Sequence, residues 1–181
     1  KYLIEEGAKV IVADIDQGRV KLMHDQFGCE VSSPEQILTV ECDVFAPCAL
    51  GAVINDNTIT KLKTKIVAGG ANNVLAESRH GDQLRELGIL YTPDFVINAG
   101  GLMNVFVELE GYSPDRAFDK TRKVYENCMK VFEIAKRNNI GTHVAADRLA
   151  EERIKTIGHL KQRHPGKSSR VFSTLREVYN R

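Results

Sequence analysis

Asp14 closes an apolar run, Lys9-Val-Ile-Val-Ala-Asp14. An acid at the carboxyl end of a buried parallel strand can hydrogen-bond the hydroxyls of an adenosine ribose. Its charge would also repel the additional phosphate of NADP, so NAD is the nicotinamide nucleotide it favours. Aspartates are common in turns, and enzymes that use S-adenosylmethionine employ the same device, so Asp14 alone leaves several readings open. Cys42-Asp-Val-Phe-Ala-Pro-Cys-Ala-Leu50 puts a proline and small residues after a strand, where backbone can pass close to a nucleotide. Cys48 has no basic neighbour in sequence to activate its thiol, which favours packing or cofactor contact over nucleophilic catalysis. Gly69-Gly-Ala-Asn-Asn73 follows a further apolar run, and paired amides there can both donate to and accept from ribose hydroxyls or a carboxylate. Asn-rich turns also arise because asparagine tolerates left-handed backbone. Asn98-Ala-Gly-Gly101 is followed by Leu102 and Val105, three positions apart. On one helical face they would give a ligand an apolar wall, or else lie in the ordinary core.

These residues need strand ends to carry them. The spacing predicts strands at residues 9–14, 42–46 and 65–68, and a fourth around Phe95-Val-Ile-Asn98. They recur every 20 to 35 residues with helical patterns between several of them. That βαβ rhythm forces parallel pairing, and a doubly wound α/β sheet is expected. Residues 1–8 read as the end of a helix with Gly7 at its C-terminus, and residues 16–27 as a helix with Val20, Met23 and Phe27 on one stripe. Ser33-Pro-Glu-Gln36 resembles a capping box. After Tyr112 the character changes. Ser113-Pro114 opens a long helix reaching Asn138-Asn139, and a second is expected from about Thr142 to Leu160. The expected organisation is a partial nucleotide-binding domain over 1–112, C-terminal helices over 113–160 and a basic tail over 161–181. The glycine-rich phosphate loop GxGxxG, which should precede a helix like the one ending at Gly7, does not occur, so the first strand and that loop are expected to lie outside this sequence.

The chain has 181 residues, 25 Lys+Arg against 24 Asp+Glu and 43% hydrophobic residues, a composition that builds an ordinary core and excludes disorder. The longest uncharged, mainly apolar stretch, Phe95 to Val107, falls short of the roughly 20 residues of a membrane span. Four cysteines (Cys29, Cys42, Cys48, Cys128) lack CxxC spacing, and the histidines lack metal-ligand spacing, so neither a disulfide scaffold nor a metal site is expected, and a reducing cytoplasm fits best. The basic stretch from Lys161 reads as a solvated tail or subunit contact in preference to a nucleic-acid-binding segment.

Taken together, Glu5-Glu-Gly-Ala-Lys-Val-Ile-Val, Cys42-Asp-Val-Phe-Ala-Pro-Cys-Ala-Leu, Ala71-Asn-Asn, Tyr91-Thr-Pro-Asp-Phe-Val-Ile-Asn-Ala-Gly-Gly and Val144-Ala-Ala-Asp-Arg-Leu-Ala-Glu-Glu-Arg resemble the amino-acid dehydrogenases that act on glutamate, leucine, phenylalanine and valine. The resemblance runs from Lys1 to about Ile157 and is strongest to the leucine-acting branch. It implies a Rossmann-like fold, NAD as cofactor, and reversible oxidative deamination of an L-amino acid to its 2-oxo acid and ammonium. By resemblance Asp14 and Ile15 meet the adenosine ribose, Cys48 and Ala49 line the adenosine side, and Asn72 and Asn98 belong to the cofactor site. Asn73 contacts the substrate, and Leu102 and Val105 flank its side chain. Both are apolar, which argues for a branched-chain amino acid over glutamate, because an unpaired carboxylate against them would be costly. A methylene more or less changes discrimination by only about 1–3 kcal/mol, so the preferred apolar amino acid stays open. A homo-oligomer is implied by resemblance alone. The family's two catalytic lysines come from a preceding domain. Lys61, Lys63 and Lys65, expected in an exposed helix-to-strand connection, are poor substitutes, so no catalytic residue is assigned and this chain alone is expected to lack turnover. Two rivals from other classes remain: a non-catalytic nucleotide-sensing or assembly module, and a methyltransferase-like domain using S-adenosylmethionine.

Overall fold

The computed structural model describes residues 1–109 and 111–163. A short helix α1 (Tyr2–Glu5) ends before Gly7, whose φ of 86° needs no Cβ, and leads into strand β1 (Ile11–Val12). Helix α2 (Gln17–Phe27) follows, capped by the Asp16 carboxylate, which accepts from the Gly18 and Arg19 amides at 2.9 and 3.2 Å. Its stripe is as expected, with Val20 buried and Met23 and Phe27 half-buried. Strand β2 (Glu30–Val31) pairs parallel to β1 and was not foreseen, because two residues carry no periodicity.

The second sheet holds β3 (Glu41–Phe45), β4 (Lys63–Val67) and β5 (Leu90–Tyr91), all parallel in that order. Ser33 Oγ accepts from the Gln36 amide at 3.2 Å, and the capping-box segment leads only into a 3-10 turn, Ile37–Thr39. Lys63 and Lys65 lie on β4 itself, not in a connection. Helix α3 (Arg79–Glu86) packs beside β5. Phe45, Ile54, Ile59, Val67, Val74, Leu84 and Tyr91 form the core under this sheet.

The fold corrects the expected fourth strand. Phe95-Val-Ile is helical, in the single turn α4 (Asp94–Ile97), and Asn98 caps that helix instead of ending a strand. Pro93 has no amide to give a ladder, Asp94 stands at the helix start and receives the Phe95 amide at 2.8 Å, and the Asn98 amide closes the turn onto the Asp94 carbonyl at 2.9 Å. Val96 thereby turns toward the C-terminal helices instead of alternating in a sheet.

Helix α5 (Gly100–Leu109) packs on the long α6 (Pro114–Asn138), and α6 packs on α7 (Thr142–Arg163). Pro114 opens α6 as expected, although the Ser113 side chain makes no capping bond, and Asn139 stops it in left-handed backbone at φ 51°. Val131, Ala135, Ala145 and Ala146 form a second core, with Val96 and Leu149 against it. Beyond Leu149, Ile154 and Ile157 of α7 are exposed. Helix α7 runs past the expected end to Arg163, and the rest of the basic stretch lies outside the described residues. None of the described helices is long and apolar enough to cross a membrane.

A single doubly wound sheet was expected. Among the described residues there are two parallel sheets, β1-β2 and β3-β4-β5, with no ladder between them. Strand β1 is correspondingly shorter than the apolar run that predicts it. The half-exposed Val31 and Val44 show strand faces that nothing described covers.

Candidate functional site at the carboxyl ends of the strands

Two loops run side by side beyond β3 and β4. The Ala68 amide reaches the Phe45 carbonyl at 3.0 Å, and the Ala71 amide reaches that of Pro47 at 3.0 Å. This approach requires Gly69: an added Cβ would lie 2.5 Å from the Pro47 nitrogen and 2.7 Å from its carbonyl carbon. Further along, the Ala52 amide donates to the Asn73 carbonyl at 2.7 Å and the Ile54 amide to that of Val74 at 3.0 Å. Cys48 and Ala49 stand exposed on the first loop, and the Cys48 sulfur receives the Gly70 amide at 3.5 Å.

The structure brings Asn72 and Asn98 together. Asn98 Nδ2 donates to Asn72 Oδ1 at 2.6 Å and, more weakly, to the Ala71 carbonyl at 3.4 Å. These bonds engage the Asn98 NH2 group and the Asn72 oxygen, so Asn72 Nδ2 and Asn98 Oδ1 keep capacity for a ligand. Asn73 adopts left-handed backbone at φ 53°. Leu102 and Val105, one helical turn apart on α5, are 75% and 53% exposed, so they form a bare apolar wall and are not core residues. Gly101 has no neighbour within 4 Å of an added Cβ, so open space lies on that side of it.

Asp14 stands apart from this group in the hydrogen-bond pattern. It follows β1, half-buried, and its carboxylate accepts the Asp16 amide at 2.9 Å, which orders the turn into α2. Ile15 beside it is 89% exposed. Both lie at the carboxyl end of a parallel strand, as Asn72 does in the other sheet.

Two residues the sequence did not single out hold the asparagine turn. Buried Asp94 accepts the Val74 amide through Oδ2 at 3.0 Å, and the Tyr91 hydroxyl accepts the Asp94 amide at 3.3 Å. Burial pushes the Tyr91 phenol up to about 12 from its usual value near 10. The folded state therefore holds this proton more tightly than the unfolded chain. Its contribution to stability is complete below about pH 10 and is lost as pH rises through about 12. We expect urea midpoints to fall over that window in the native chain, and less steeply in Tyr91→Phe. Equal slopes would show that Tyr91 does not titrate in this way.

A shallow depression of about 900 Å³ lies elsewhere, lined by Glu41, Asp43, Lys63 and Lys65 at the amino ends of β3 and β4. Open parallel sheets bind ligands at the opposite end. Lys65 and Asp43 neutralise each other across it at 2.7 Å, which holds the Asp43 carboxyl below its usual range. Its size gives it no claim over the carboxyl-end loops. Among the described residues no group of His, Cys, Asp and Glu could hold a metal ion.

Parallel strands, two of whose connections run through α2 and α3, with amides and a carboxylate beyond their carboxyl ends, define an α/β domain of the Rossmann-like class. The chain belongs to the Glutamate/Leucine/Phenylalanine/Valine dehydrogenase family, whose model matches residues 5–159. It is 56% identical over 157 residues to leucine dehydrogenase from Geobacillus stearothermophilus, covering 87% of this chain and 43% of that protein. It is 52% identical over 157 residues, with the same coverage, to leucine dehydrogenase from Bacillus subtilis. The crystal structure of L-tryptophan dehydrogenase from Nostoc punctiforme superposes with a TM-score of 0.84 at 43% identity, covering 86% of this chain and 47% of that one. The chain thus spans less than half the length of these relatives.

Proposed function

We propose that this chain is the NAD-binding part of a dehydrogenase that reversibly deaminates a branched-chain L-amino acid to its 2-oxo acid and ammonium. The observation that carries the reading is the Asn72–Asn98 pair beyond the carboxyl end of β4, with Leu102 and Val105 exposed on the helix that follows Asn98. Asp14 and Ile15 would take the adenosine ribose and Cys48 and Ala49 the adenosine side. Asn72 and Asn98 would take the nicotinamide ribose, and Asn73 the amino acid. NAD supplies the hydride acceptor. The residues of this chain orient it and present an apolar surface to the substrate side chain, so that the reacting carbons meet across a cleft from which water is removed.

The open edges of the two sheets fit this reading. Among the described residues β1 pairs only with β2, and β3 only with β4. One further parallel strand between β1 and β3 would join the halves into the order β2-β1-x-β3-β4-β5, which is the doubly wound arrangement with its phosphate loop on the inserted strand. That strand and its glycine loop would place Asp14 and Asn72 on either side of one crevice. A cytoplasmic homo-oligomer acting on the free amino acid, its oxo acid and ammonium belongs to the same proposal.

Titration of the 181-residue chain separates the classes. We expect saturable NADH binding, weaker for NADPH, and weakened about tenfold or more by Asp14→Ala through loss of charged hydrogen bonds to the ribose. Tighter binding of S-adenosylmethionine than of NADH would overturn the dehydrogenase reading.

A further inference from the structure

We propose that Asp94 is a positioning residue: with Asn98, one helical turn further on, it clamps the Asn72–Asn73 turn from both ends. The functional meaning of this clamp rests on the reading of those asparagines given above.

The carboxylate of Asp94 is buried and spends both oxygens on backbone amides. Oδ1 holds the Phe95 amide of its own helix at 2.8 Å, and Oδ2 reaches 20 positions back in sequence to the Val74 amide at 3.0 Å. Four residues after Asp94, Asn98 lies on the same side of α4 and reaches the other end of the turn, at the Ala71 carbonyl and the Asn72 side chain. The two attachment points, Ala71 and Val74, bracket Asn72 and Asn73. Asn73 sits in left-handed backbone, which asparagine tolerates, and the groups on either side of it are also held. The Asn73 carbonyl is taken by the Ala52 amide, and the next amide by Asp94. Without the Asp94 acceptor, the Val74 amide loses its partner in a buried position, and that end of the turn loses its attachment to α4. The short helix in place of the expected strand is what makes this possible, because an alternating strand would send positions 94 and 98 along an extended chain instead of stacking them one turn apart.

Asp94→Asn keeps the shape but leaves one oxygen for two amides. In the ¹⁵N,¹³C-labelled 181-residue chain, the wild type is expected to show scalar coupling between the Val74 amide nitrogen and the Asp94 carboxyl carbon. In Asp94→Asn we expect exchange of the Val74 amide to accelerate at least tenfold and the Asn98 carboxamide signals to move toward those of free asparagine. Val131, in the separate helical core, should exchange as before. Absence of the coupling in the wild type overturns the clamp, and that result does not depend on whether the variant folds. It is overturned equally by a folded Asp94→Asn chain with unchanged Val74 and Asn98 signals, or by equal acceleration at Val131, which would mark a global loss of stability. NADH affinity is expected to fall at least tenfold in the same variant. A wild-type chain that fails to bind NADH at all would overturn the nucleotide reading, and the amide signals would still decide the clamp.

Discussion

Gly69→Ala is expected to destabilise the chain by about 3 kcal/mol, the upper end of what forcing extra volume into a packed interior costs. The added Cβ would collide with Pro47 backbone, which cannot rotate aside as a flexible side chain could. Relief would require parting the two loops, with loss of the Ala71 amide bond to the Pro47 carbonyl. Gly70→Ala is the matched control, since its Cβ would meet only the Cys48 sulfur at 4.0 Å, an ordinary contact. Urea unfolding should give a much lower midpoint for Gly69→Ala and one near wild type for Gly70→Ala. Equal midpoints would mean that the loops do not approach as described.

The second large effect is on turnover. The purified 181-residue chain is expected to show no measurable NAD-dependent deamination of leucine. Nothing in the described site supplies a lysine to bind the substrate carboxylate or activate water. Lys63 begins β4, at the end of the strand away from Asn72, and Lys65, midway along it, is held by Asp43 at 2.7 Å. Positioning a cofactor without the acid–base groups leaves the proton transfers uncatalysed, and each such group contributes on the order of 10²–10⁴-fold. NADH formation above the buffer rate on adding leucine to the chain would contradict this division of labour.

Much of the architecture was legible because local chemistry repeats it. The Ser113-Pro114 start and Asn139 stop marked α6 to within a residue, and the Val20–Met23–Phe27 stripe marked α2. The run Phe95-Val-Ile misled because a short apolar segment reads equally as strand or helix. The deciding facts were tertiary: β5 had already paired with β4 at Leu90–Tyr91, and Asp94 was committed to an amide in another loop. For the site, residue type and a place after the third predicted strand pointed to the Asn72–Asn73 amides, whereas Asn98 entered by resemblance and on an expected strand end that is a helix cap; their mutual hydrogen bond follows from folding. Asp94 escaped notice because an aspartate after proline looks like ordinary turn chemistry until its long-range partner is seen. The separation of the two sheets was equally invisible, since apolar runs announce strands but not the neighbours each will find.

The central claim is that Asp14, on one sheet, and the Asn72–Asn98 pair, on the other, hold a single nucleotide. An NMR titration of the ¹⁵N-labelled chain with NAD tests it most directly. Signals of Asp14, Ile15, Asn72 and Asn98 are predicted to move together along one saturation curve, and Asp14→Ala to shift that curve for all of them to higher NAD. Movement of only one group, or two groups saturating at different concentrations, would contradict a shared crevice.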